Sequence, residues 1–97
     1  MQAQRYNIEI PGEISDAIVC NSEYFESCKE LYALAKRSIQ SMGRTSYKRK
    51  WSKAEIDMVI QAIDKALTNT VKYKNKSGNE YQAFLKFREQ LECASNS

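Results

Sequence analysis

Three stretches of this 97-residue chain repeat apolar residues at three- and four-residue steps, and that spacing narrows the possible folds sharply. The first runs through Tyr24, Phe25, Cys28, Leu31, Tyr32, Ala35, Ile39 and Met42. The second holds Ile56, Val59, Ile60, Ile63 and Leu67, and the third Tyr81, Phe84, Leu85, Phe87 and Leu91. Residues three and four apart share one side of an α-helix, so each stretch predicts an amphipathic helix. The expected helices span 22–42, 53–69 and 80–93.

Local signals place their ends. Asn21 or Ser22 suits the first N-cap, and Gly43 is a natural stop. Glu23, Glu26 and Glu30 come early in that helix and Lys36 and Arg37 late, which complements the helix dipole. Ser52-Lys53-Ala54-Glu55 has the form of a capping box: the Ser hydroxyl accepts from the Glu amide, and the carboxylate reaches back to the Ser amide. Trp51 before the cap and Ile56 after it fit a hydrophobic staple.

Ahead of these helices the pattern changes. Tyr6, Ile8 and Ile10 alternate with Asn7 and Glu9, a period of two that predicts a short strand. Pro11-Gly12 then suits the centre of a type II turn. Ile14, Ile18 and Val19 fit a returning strand or a helix capped at Ser15, so residues 1–20 form an extended, hairpin or helical lead-in. Three glycines and one proline are too few for a turn-rich β-fold. The expected class is mainly α: a small three-helix bundle with a short N-terminal strand or hairpin, in one domain over residues 1–97.

With no histidine in the chain, Ser-His-Asp and Cys-His catalysis and the usual zinc sites are removed. Gly12, Gly43 and Gly78 stand apart from one another, so no glycine-rich phosphate loop is present. The expectation is a binding protein rather than an enzyme, without cofactor or metal. Cys20, Cys28 and Cys93 are an odd number without a Cys-x-x-Cys spacing, a poor disulfide framework, and small buried apolar thiols are expected. No apolar run is long enough to span a membrane, and the first residues lack a signal-peptide core, so a cytoplasmic location is expected.

Charge is distributed unevenly. Residues 1–30 carry six acids against two bases, whereas 31–79 carry eleven bases against three acids, a local net of +8 within a chain of net +3. From Leu31 to Ala54 there are bases and no acid. The densest part, Arg44 to Trp51, looks like a basic-aromatic connector between helices, and 70–79 like a second one at the opposite end of the bundle. Clustered charge with interleaved aromatics suits an anionic partner. The candidate contact residues are Lys36, Arg37, Arg44, Tyr47, Lys48, Arg49, Lys50, Lys53, Lys72, Tyr73, Lys74 and Lys76. The cations would neutralise phosphates and Tyr47 would stack on a base.

Two short segments carry family resemblances. Lys50-Trp51-Ser52-Lys53-Ala54-Glu55 resembles the opening of a Myb-type DNA-binding repeat, where a Trp precedes a capped first helix. The later tryptophans of that repeat are missing, and none of its DNA-reading residues is carried over. Arg5-Tyr6-Asn7-Ile8-Glu9-Ile10-Pro11 resembles the strand of a ribbon-helix-helix repressor, which implies that Arg5, Asn7 and Glu9 face bases. The room for a first helix, Gly12 to Cys20, is short for that family, and the segment lies in the acidic part of the chain.

The function expected from these residues is a small non-enzymatic binding protein whose basic middle engages nucleic acid or a nucleotide. The alternative is a regulator or inhibitor docking on an acidic surface of a larger protein complex, itself a nucleic-acid-processing one in the sharper form. A homodimer through the N-terminal strand is a further expectation, since a lone strand needs a partner edge.

Overall fold

The structure, a computed structural model, describes residues 4–41, 46–70, 73 and 78–96. These form β1 (Arg5–Ile10), α1 (Ser15–Cys20), α2 (Lys29–Gln40), β2 (Tyr47–Ser52), α3 (Lys53–Asn69) and α4 (Asn79–Asn96). Four α-helices among the described residues, with a two-stranded antiparallel sheet, make the fold mainly helical. None of them is long and apolar enough to cross a membrane.

Where local signals are strong, the expected elements form. Helix α3 starts behind the capping box: the Glu55 amide donates to Ser52 Oγ at 3.3 Å, and the Ser52 amide donates to Glu55 Oε1 at 3.3 Å. Trp51 and Ile56, the staple pair, are both buried. Helix α4 turns Ala83, Phe84, Phe87 and Leu91 inward. Leu85, expected on that face, is 36% exposed because it sits a quarter-turn from Phe84. Arg88 ties α4 to α3, its Nε and Nη2 donating to the two oxygens of Asp64 at 2.7 and 3.3 Å.

Residues 13–20 settle as a helix. Ile14, Ala17 and Ile18 are fully buried, and their spacing of three and four needs helical geometry. Pro11-Gly12 does not form the expected type II turn. Gly12 opens a 3-10 turn, with the Ile14 amide donating to Pro11 O at 3.3 Å, and this turn leads directly into α1.

The helix expected from residue 22 starts later. Ser22–Tyr24 is a 3-10 turn, and α2 begins at Lys29. Asn21 cannot serve as the cap because its side chain is committed to other elements. Its Nδ2 donates to Ala17 O at 2.7 Å and to Tyr73 Oη at 3.2 Å, and its Oδ1 accepts from Thr70 at 2.9 Å. Phe25 is drawn fully into the core, where it stacks on Phe84 with ring centroids 6.0 Å apart. Burying a ring of that size is worth about 1.5–3 kcal/mol, enough to outweigh one more helical turn.

The largest departure concerns the expected connector. Tyr47–Ser52 is not a connector but a strand, paired antiparallel with β1 in the register Arg5↔Ser52, Asn7↔Lys50 and Glu9↔Lys48. The partner of β1 therefore comes from the middle of the chain rather than from the first twenty residues. Ile8, Ile10 and Trp51 anchor the inner face of this sheet to the helices, with Trp51 meeting Phe87 edge-on at 6.5 Å.

Candidate functional site

Alternation along paired strands sorts the charged residues onto two faces. Tyr6, Ile8 and Ile10 of β1 oppose Trp51, Arg49 and Tyr47 of β2 on the inner face. Arg5, Asn7 and Glu9 oppose Ser52, Lys50 and Lys48 on the outer face, where all but half-buried Ser52 are exposed. Lys53 follows as the first residue of α3, also exposed. A shallow concavity of about 620 Å³ runs over the ribbon, lined by Asn7, Ile8 and Glu9 of β1, Lys48, Arg49 and Lys50 of β2, and Gln90 of α4.

Side chains engage part of each edge of the ribbon. On the β1 side, the Glu9 amide donates to Gln90 Oε1 at 2.8 Å and Gln90 Nε2 donates to Glu9 O at 2.9 Å. In an antiparallel pair the backbone groups alternate inward and outward, so Lys48, opposite Glu9, also turns its own outward, and so does Lys50. Their carbonyls accept from guanidinium groups: Lys48 O from Arg49 Nη1 at 2.8 Å, and Lys50 O from Arg5 Nη1 at 3.2 Å. Charged side chains at an edge discourage a further strand from pairing there.

The cations differ in commitment. Arg49 points to the inner side, 3.9 Å from Glu30 Oε1, with its guanidinium 5.7 Å from the Tyr47 ring centroid. The same Glu30 carboxylate accepts from Trp51 Nε1 at 2.9 Å. Arg5 lies 3.7 Å from Glu55. Lys48, Lys50 and Lys53 form no ion pair among the described residues. An ammonium without a carboxylate partner can give its full charge to a phosphate oxygen.

The other expected contact residues fall elsewhere. Lys36 and Arg37 are exposed on α2, six and seven residues beyond Glu30 and so about 10 Å further along the helix. Lys36 lies 5.4 Å above the Tyr32 ring. Tyr47 is half-buried on the inner face under Arg49, which turns it away from the surface that carries Lys48 and Lys50. Tyr73 is 3% exposed: its ring meets Phe84 edge-on at 6.1 Å and its hydroxyl donates to Glu80 at 2.8 Å. It is a core residue. Arg44, Lys72, Lys74 and Lys76 lie outside the described residues.

Gln90 carried no sequence signal, because what distinguishes it is a partner 81 residues away. Arg5 and Asn7 entered only through the strand resemblance, and their place beside Lys48 and Lys50 depends on the pairing of β1 with β2. A smaller hollow of about 140 Å³ lies among Cys28, Leu31, Trp51, Met58 and Val59. The carboxylates at its rim, Glu30 and Glu55, already serve Trp51, Arg49, Arg5 and Ser52. Among the described residues no cluster of three or more His, Cys, Asp or Glu side chains is placed to hold a metal.

No family model matches the chain, and neither a curated protein nor a solved structure is significantly similar to it.

Proposed function

We propose that this is a small non-enzymatic binding protein that engages nucleic acid through the outer face of its two-stranded ribbon. One observation carries the reading: Lys48 and Lys50 stand side by side on an exposed face, without ion pairs among the described residues, and Lys53, also exposed, opens the helix that follows the strand. Arg5 lies on the same face and Asn7 between. A strand fixes the backbone of its lysines before binding, which lowers the backbone entropy lost when they meet phosphates.

Fluorescence anisotropy with a labelled oligonucleotide tests this. Three phosphate contacts give a slope of log K against log salt near −2.7, and so a loss of roughly 40-fold between about 50 and 200 mM salt. Affinity that ignores salt, or no binding at the lower concentration, defeats the reading.

A second reading is favoured by the carboxylates of Glu9, Glu30 and Glu55 around the ribbon. Mixed signs suit docking on an acidic protein surface better than on a polyphosphate, since protein interfaces pair charges of both kinds. This is the regulator or inhibitor alternative, and association with a partner protein that survives nuclease treatment separates it from the first. Homodimerisation through the outer edge of β1 would have to displace Gln90 from Glu9.

A further inference from the structure

We infer that the ribbon face takes double-stranded DNA by its phosphate backbone and does not read base sequence. This rests on the nucleic-acid reading above and narrows its ligand.

Single strands are held mainly by aromatic side chains that stack on unpaired bases. The outer face offers no such platform. Tyr6, Tyr47 and Trp51 all belong to the inner face, and Tyr73 is in the core. Sequence is read by guanidinium and amide groups that present two donors or acceptors to a base edge. Here those groups are already used. Arg5 is held between Lys50 O and Glu55, Arg49 among Lys48 O, Glu30 and Tyr47, and Gln90 at the backbone of Glu9. Asn7 is the one amide side chain of the outer face, and one amide specifies little.

What the face does present is ammonium charge on a concave floor. Lys48 and Lys50 are two residues apart on one strand, about 6.7 Å along it, close to the separation of successive phosphates. A concave floor receives the convex ridge of a backbone and does not project into a groove. Duplex DNA also carries the higher linear charge density, and each of its phosphate contacts releases more counterion than a contact on a single strand, a slope of about 0.9 against 0.7.

The experiment is anisotropy with two labelled DNA duplexes of unrelated sequence and one single strand of equal length. Expected are duplex affinities within about tenfold of each other, far less than the spread that specific recognition gives, and weaker single-strand binding. In the variant carrying Lys48→Gln and Lys50→Gln, the duplex salt slope should shrink by about 1.8, with the melting temperature unchanged because both side chains are exposed. A single strand bound as tightly as the duplexes overturns the inference, as does a larger spread between the two duplex sequences or an unchanged slope in the variant. Failure of all three probes to bind at low salt instead removes the nucleic-acid reading itself, and the inference with it.

Discussion

Gln90 holds Glu9 by both of its backbone groups, accepting from the amide at 2.8 Å and donating to the carbonyl at 2.9 Å. One side-chain amide thus plays the part of a third strand and fastens the sheet to α4. Gln90→Ala removes both bonds, but the freed groups sit at an exposed edge and regain water. A loss of about 0.5–1.5 kcal/mol is expected, at the low end for two hydrogen bonds, measured as a shift in the urea midpoint.

At the start of α3, Ser52 and Glu55 satisfy each other's amides. Ser52→Ala should cost about 1 kcal/mol. Because the two halves of the box act together, the double variant with Glu55→Ala should lose less than the sum of the single losses. A denaturation double-mutant cycle measures that difference.

Glu9 stands opposite Lys48 on the outer face and repels phosphate there. Under the proposed function, Glu9→Gln should tighten DNA binding about threefold at low salt, the worth of a unit charge roughly 7 Å away in water. The gain should fade as salt is raised. Anisotropy titrations of the variant and the parent at two salt concentrations give the answer, and weaker binding by the variant would count against Lys48 as a contact.

Tyr73 sits within the basic sequence yet belongs to the core. Tyr73→Phe keeps the ring against Phe84 and removes the hydroxyl that joins Asn21 to Glu80. It should cost about 1–3 kcal/mol through the buried Asn21 amide left with one partner fewer. Tyr73→Ala should cost about 3–5 kcal/mol, as for other large aromatic truncations. Neither change should alter the salt slope of DNA binding in the folded protein, whereas a surface stacking role would lower the affinity of Tyr73→Phe little and of Tyr73→Ala much, with stability kept.

The three thiols should separate by reactivity. Of the thiols expected to be buried only Cys28 is, at 7% exposed, its pKa pushed up from the ordinary value by burial, whereas Cys20 and Cys93 are exposed. Only the thiolate attacks a disulfide reagent. Two thiols should therefore react promptly at mildly alkaline pH and the third only on unfolding. The sign for stability follows: the folded state holds the Cys28 proton more tightly than the unfolded state. That contribution is fully present below the unfolded thiol's pKa and is lost as pH rises from there through the raised pKa of the folded state.

Helix α3 was legible in its bounds and its capping box, because cap, staple and periodicity all lie within a few positions of one another, but its stripe only in part: Ile56, Val59 and Ile63 are buried with Ala62 and Ala66, whereas Ile60 and Leu67 are half-buried. Helix α4 and the existence of β1 were legible from periodicity alone, and α4 runs over Asn79–Asn96 rather than stopping at the expected residue 93. Charge clustering pointed to the segment that carries Lys48 and Lys50, but it treated Tyr47, Lys48, Arg49 and Lys50 as one surface. The pleat of a strand divides them, two outward and two inward.

By itself, then, the sequence determined the mainly helical class, the start of α3 and the excess of positive charge in the middle of the chain, all of them properties of neighbouring residues. Tertiary structure alone decided that Tyr47–Ser52 is a strand, that Asn21 and Tyr73 are buried partners rather than a cap and a surface ring, and that Gln90 closes the edge at Glu9. Each of these depends on free energy gained between residues far apart in the sequence, where pairing and burial outweigh local preference and no short pattern records the partner.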